Sequence, residues 1–240
     1  MERYFKNIFL LILLLLANVA FGQRIDQRWM MGYESYVGIP FGGTDIVFQS
    51  SGPSISYINR PMNFSDASIT ICDTSNNVLF YSNGIYIANH LNDTMMNGSG
   101  LSPSWYTSST DYYGLTIPQS IIAIPAPGDI NRYYLFHNTV DDSIQYSYFL
   151  YYSIVDMSLD GGLGAVINKN IILLHDTIVP GRITATKHAN GRDWWIVVHC
   201  SEISATPNRF YIYLLTPSGL QLSHTQDIGH RFIEIGRAHV

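Results

Sequence analysis

Four aromatic residues in one polar stretch are the first candidates for chemistry. Trp105, Tyr106, Tyr112 and Tyr113 sit among Ser, Thr and Asp between Asn89 and Gly114. Aromatic faces in such a setting suit sugar rings or a protein partner. The alternative is that they fold back onto the strands beneath them. The stretch is the longest segment of low hydrophobicity in the chain, and long loops on a rigid scaffold are where binding residues concentrate.

Other reactive types are present but poorly grouped. His137, His188 and His199 share no i, i+4 helical spacing and no Cys/His cluster, so no zinc site is expected. Asp73, Asp129 and Asp193 fall at three turns, and their recurrence implies carboxylates that accept backbone N–H bonds at one turn position. A glycosidase needs two carboxylates converging across a pocket, which spacing alone does not give. No Gly-x-Ser-x-Gly elbow occurs. Gly161, Gly162 and Gly164 lead into an apolar strand pattern with no following helix or Lys, so they suit a strand-to-strand handover rather than a phosphate loop. The expectation is a non-catalytic chain with no cofactor and no metal.

The elements that position these residues follow from three similar phrases. Ser68–Ser82, Ser120–His137 and Arg182–His199 each read apolar strand, polar turn, aromatic strand. Recurrence at roughly fifty to sixty residues marks a repeat architecture. The turns Asp73–Asn77, Pro127–Asp129 and Ala189–Arg192 carry Asx, Gly and Asn-Gly signals for tight hairpins. Pro217–Gly219 after Phe210–Leu215 closes an outer hairpin. The expected fold is all-β, an incomplete β-propeller of about three four-stranded repeats, with a β-sandwich as the rival.

Composition agrees. Tyr occurs 17 times and charged residues make up 13% of the chain, which favours strands over helices. The formal net charge of −5 argues against a nucleic-acid surface. Two cysteines, Cys72 and Cys200, lie a repeat apart, so buried free thiols are favoured over a bridge.

Both ends of the chain carry other signals. Arg3 and Lys6 precede the apolar run Ile8–Ala17, with small Ala20 and Gly22 before Gln23, so residues 1–22 read as a secretory signal. The run is short for a membrane span of about 20 residues. No integral membrane segment is expected after cleavage, and the location is exported, extracellular or at the outer cell surface. Ile235–Val240 is what ATC GGA AGA GCA CAC GTC encodes, the start of a common sequencing-adapter read. Residues 235–240 are therefore expected to be an artefact, with residues 23–234 a truncated propeller-like domain.

Three phrases carry a family resemblance: Asp73–Gly84, Val155–Gly164 and Thr186–Trp195. They resemble the N-terminal propeller-like region of large secreted Bacteroidetes proteins, over nearly all of residues 32–234. In that group a sorting or gliding-motility-associated C-terminal domain often follows, which implies export by type IX secretion. One departure is Cys72-Asp73, where the family mostly has Ser-Asp. The resemblance brings no activity onto particular residues. Together with the loop aromatics it implies an interaction module, adhesin-related, binding glycan or protein. A propeller-based hydrolase and a structural stalk are the alternatives.

Overall fold

The computed structural model describes residues 27–39, 41–143, 145–201 and 203–229. The leader and residues 235–240 lie outside the described residues.

The chain is all-β, and its strands form open antiparallel sheets. The first sheet joins β1 (Arg28–Met31), β2 (Gly43–Gln49) and β3 (Gly52–Ile58) in sequence order. The second joins β4 (Ile69–Cys72), β5 (Val78–Ser82) and β6 (Ile87–Asn89). The third is a seven-stranded meander: β7 (Ile121–Pro125), β8 (Arg132–His137), β9 (Ser147–Asp156), β10 (Ala165–Lys187), β11 (Trp194–Cys200), β12 (Arg209–Thr216) and β13 (Gly219–Asp227). Among the described residues the sheets hold three, three and seven strands, where four per repeat were expected.

Each repeated phrase is a hairpin, as expected. Ile71 pairs with Phe80, Ala123 with Leu135, and Ala185 with Ile196. The alternating inward residues of these hairpins build the core. Ile71, Phe80, Leu135 and Val155 belong to one buried cluster; Ile183, Ile196, Val198 and Leu215 belong to another. Burying one such side chain contributes roughly 1.5–3 kcal/mol.

The long strand β10 explains the seven-stranded sheet. Its first part pairs with β9 and its last part with β11, with the register broken between Ile178 and Ile183. Pro180 and Gly181 fill that break. Gly181 has φ 80°, and a Cβ there would stand 2.1 Å from the Pro118 carbonyl oxygen. Only glycine permits both the left-handed backbone and this close approach.

Two local expectations change. Helical periodicity is invisible in the polar insert, yet Trp105–Ser109 forms a short helix, α1. Ser104 caps it by accepting the Thr107 N–H at 3.0 Å. Five residues make little more than one turn, too few to show a period. The Asp residues at the three turns also do not share one position. Asp73 opens its turn and accepts the N–H groups of Ser75 and Asn77 at 2.8 and 2.9 Å. Asp129 sits inside its turn and accepts from Asn131 N–H at 3.0 Å. Asp193 closes its turn, where Asn190 does the capping and Arg192 pairs with the Asp193 carboxylate at 2.7 Å.

The glycine handover is as expected. After β9 the backbone turns through Gly161, Gly162 and Gly164 at φ 63°, 95° and 84° and enters β10.

Candidate functional site

The four sequence-selected aromatics divide into two groups. Trp105, the first residue of α1, is 56% exposed. Tyr106, beside it, is half-buried against the first core cluster, with its hydroxyl on Thr116 Oγ1. The two rings meet edge to face at 5.6 Å. Tyr106 therefore anchors the helix, and Trp105 is the side chain presented to solvent.

Tyr112 and Tyr113 follow α1 and are both 53% exposed. Their rings stand perpendicular at 4.9 Å. A third tyrosine, not foreseen from the sequence, joins them. Tyr36 is 68% exposed, and its hydroxyl lies 2.9 Å from that of Tyr112. It belongs to a 3₁₀ turn, Ser35–Val37, in the connection after β1.

Buried polar groups hold this arrangement in place. Asn63 accepts the Glu34 N–H at 2.8 Å through Oδ1 and donates to the Tyr112 carbonyl at 2.7 Å through Nδ2. One amide side chain thus ties both tyrosine-bearing segments. Beneath Tyr36, buried Ser35 accepts the Arg60 N–H at 2.9 Å, and the Tyr57 hydroxyl donates to the Ser35 carbonyl. The Tyr36 hydrogen bond, with burial and the nearby Tyr36, Glu34 and Tyr113 adding to it, raises the Tyr112 phenol to about 12.

The insert is clasped from the other side by a bulge in β10. Asn170, at φ 54°, accepts the Ser102 N–H at 3.1 Å and donates to the Gly100 carbonyl at 2.8 Å. Lys169 Nζ donates to Asn97 Oδ1 at 2.8 Å and to the Ser99 carbonyl at 3.0 Å. Below this clasp lies His137, fully buried. Its Nδ1 is 2.7 Å from Ser102 Oγ and its Nε2 is 2.9 Å from Ser153 Oγ. Burial lowers its pKa to about 3, so the ring is neutral. A Ser–His pair of this kind suggests a nucleophile, but Ser102 and Ser153 are as buried as the ring. Here it is a polar core that fixes the insert.

Among the described residues no three His, Cys, Asp or Glu side chains are grouped to hold a metal ion. His188 accepts the Asn190 N–H at 3.1 Å within its turn and packs on Trp195 at 5.2 Å. Trp194 and Trp195 are both half-buried, with Lys187 Nζ 4.7 Å over the Trp194 ring. Cys72 and Cys200 are buried free thiols. Burial pushes each up to about 11. Asp176 receives the Cys200 thiol, the Ser204 hydroxyl and the Tyr211 hydroxyl at 3.2, 2.8 and 2.9 Å. These bonds tie β10 to β11 and β12.

One sizeable groove, of about 560 Å³, opens between the first strands of the sheets. Trp29 and Met31 of β1, Ile69 and Ile71 of β4, and Ile121 and Ala123 of β7 line it. It shares no residue with the tyrosine surface.

No family model, curated protein or solved structure matches the chain.

Proposed function

We propose that this chain is an exported interaction module that presents aromatic residues to a glycan or protein at or outside the cell surface. The observation that carries the reading is the tyrosine surface. Tyr36, Tyr112 and Tyr113 come from two distant segments, stand well exposed, and are held by Asn63. Exposed aromatics that a structure pre-orders lose little entropy on binding. Trp105 adds a further exposed ring earlier in the same insert. The leader pattern of residues 1–22 and the phrases Asp73–Gly84, Val155–Gly164 and Thr186–Trp195 support export as a type IX cargo of the Bacteroidetes kind.

The scaffold reading is a partial β-propeller. Its support is the arrangement of first strands. Met30 N–H donates to Thr70 Oγ1 at 3.2 Å, and Ser68 Oγ donates to the Met30 carbonyl at 2.8 Å, so β1 abuts β4. β1, β4 and β7 together line one groove, as inner strands around an axis do. The break at Pro180–Gly181 lets β10 serve as the last strand of one four-stranded meander and the first of the next. A sandwich would instead set two sheets face to face about 10 Å apart.

The test uses the exported chain on glycan and cell-surface arrays. Trp105→Ala and Tyr112→Ala are expected to lose retention while keeping the far-UV circular dichroism of the parent. Unchanged retention in both variants would remove this insert as the binding element.

A further inference from the structure

We infer that the surface formed by Tyr36, Tyr112 and Tyr113 docks a cationic side chain, arginine or lysine, presented by a partner protein. The inference rests on the aromatic-surface reading above and names its ligand chemistry.

Charge is the first argument. The segments that carry the three tyrosines, Tyr33–Ile39 and Trp105–Tyr113, contain two acidic residues, Glu34 and Asp111, and no lysine or arginine. Asn63 bonds the Glu34 N–H on one side and the Tyr112 carbonyl on the other, which joins the backbone of the acid to that of the ring-bearing segment. Its charge is among the causes that raise the Tyr112 phenol. The basic residue closest beneath, Arg60, is 3% exposed. Its guanidinium donates to the Met31 carbonyl and lies 4.8 Å over the Phe64 ring, so its charge is turned to the interior. Solvent therefore meets a negative, aromatic surface.

Ring chemistry is the second. The face of a tyrosine ring carries negative potential and attracts ammonium and guanidinium groups, and an adjacent carboxylate adds to that attraction. Perpendicular rings such as Tyr112 and Tyr113 expose faces in two directions around one point. A hydrogen bond between the Tyr36 and Tyr112 hydroxyls fixes the two rings relative to each other, and their faces are what a cation meets.

The third concerns the surroundings. Along the chain Tyr36 is flanked by exposed Val37 and Ile39, at 53% and 80%, and by exposed Tyr33 at 57%. Aliphatic neighbours suit the methylene stem of Arg or Lys and the apolar residues flanking it.

The experiment titrates the full chain with three probes, monitored by tyrosine ring chemical shifts and calorimetry. The probes are a ten-residue Gly/Leu peptide bearing two arginines, the same peptide with glutamate in place of arginine, and maltohexaose. The arginine peptide is expected to bind about ten-fold or more tightly than the glutamate peptide, and more weakly as salt rises. Glu34→Gln, which keeps the shape, is expected to weaken it several-fold, and Tyr112→Ala to abolish it. Equal binding of the two peptides, or no effect of Glu34→Gln, overturns the inference. Tyr112-dependent binding of maltohexaose without binding of the arginine peptide overturns it too, while the aromatic-surface reading survives. If no probe binds in a Tyr112-dependent way, both fall.

Discussion

The hydroxyls of Tyr36 and Tyr112 lie 2.9 Å apart, although 76 residues separate them in the chain. One belongs to the β1–β2 connection of the first sheet and the other follows α1 in the connection between the second and third sheets. Their contact makes a testable chemical mark. Removing the Tyr36 hydroxyl in Tyr36→Phe takes away the first cause of the raised Tyr112 phenol. Tyr112 should then titrate below its parent value of about 12, toward the ordinary tyrosine range. Ultraviolet phenolate titration, with Tyr112→Phe as the assignment control, measures this.

Acid stability should report on His137. The folded ring has a pKa lowered to about 3 by burial, while the unfolded ring has the ordinary histidine value near 6.5. Below pH about 6.5 the unfolded chain binds the proton and the folded chain does not, so stability falls as pH falls. From pH 6.5 to 5 the loss is about 1.6 kcal/mol from this group. Denaturant unfolding at pH 7.5, 6.5, 5.5 and 5 should show it. In His137→Gln that slope should shrink, because Gln fills the same polar core without titrating.

Two glycines separate conformational strain from steric contact. Gly181→Ala meets both a positive φ and the Pro118 carbonyl at 2.1 Å, and is expected to cost about 3 kcal/mol or more. Gly161→Ala meets the positive φ alone, with open space around the new methyl, and should cost about 1 kcal/mol. Calorimetric melting of the two variants compares them directly.

The thiols should be silent. Cys72 and Cys200 are buried and raised to about 11, so little thiolate exists at neutral pH. Ellman's reagent should label neither in the native chain and both in guanidinium chloride. Rapid native labelling of either would show that its sheet opens readily.

Much of the scaffold was legible because hairpins are local. Asn190-Gly191 and Asp73–Asn77 announce their turns, and the apolar–aromatic alternation on either side gives the register. The Tyr-rich composition gave the all-β class for the same reason. What was not legible depends on distant partners. β1 and β3 are short or exposed, with few core residues to give a period. The register break inside β10 falls where Gly181 approaches Pro118, sixty-odd residues earlier in the chain. The turn aspartates looked equivalent because all three lie near a hairpin tip, but the strand registers place them at different steps of their turns.

The site was half legible. Trp105, Tyr112 and Tyr113 stand exposed where the polar insert suggested, whereas Tyr106 turns inward onto the core. Tyr36 and Asn63 were missed. Asn63 sits in a plain Asn-Phe-Ser context, and nothing local ties it to Glu34 or Tyr112. The available signal was the pair of tyrosines, Tyr33 and Tyr36, in the segment Tyr33–Ile39.

The most direct measurement is retention of the full chain and of a Tyr36→Ala/Tyr112→Ala variant on intact cells and on a protein and glycan array, with circular dichroism as the folding control. Retention by the parent and at least ten-fold loss in a folded double variant is the expected result. Equal retention of the two, or no retention of the parent on any surface, would contradict the reading of this chain as an aromatic interaction module.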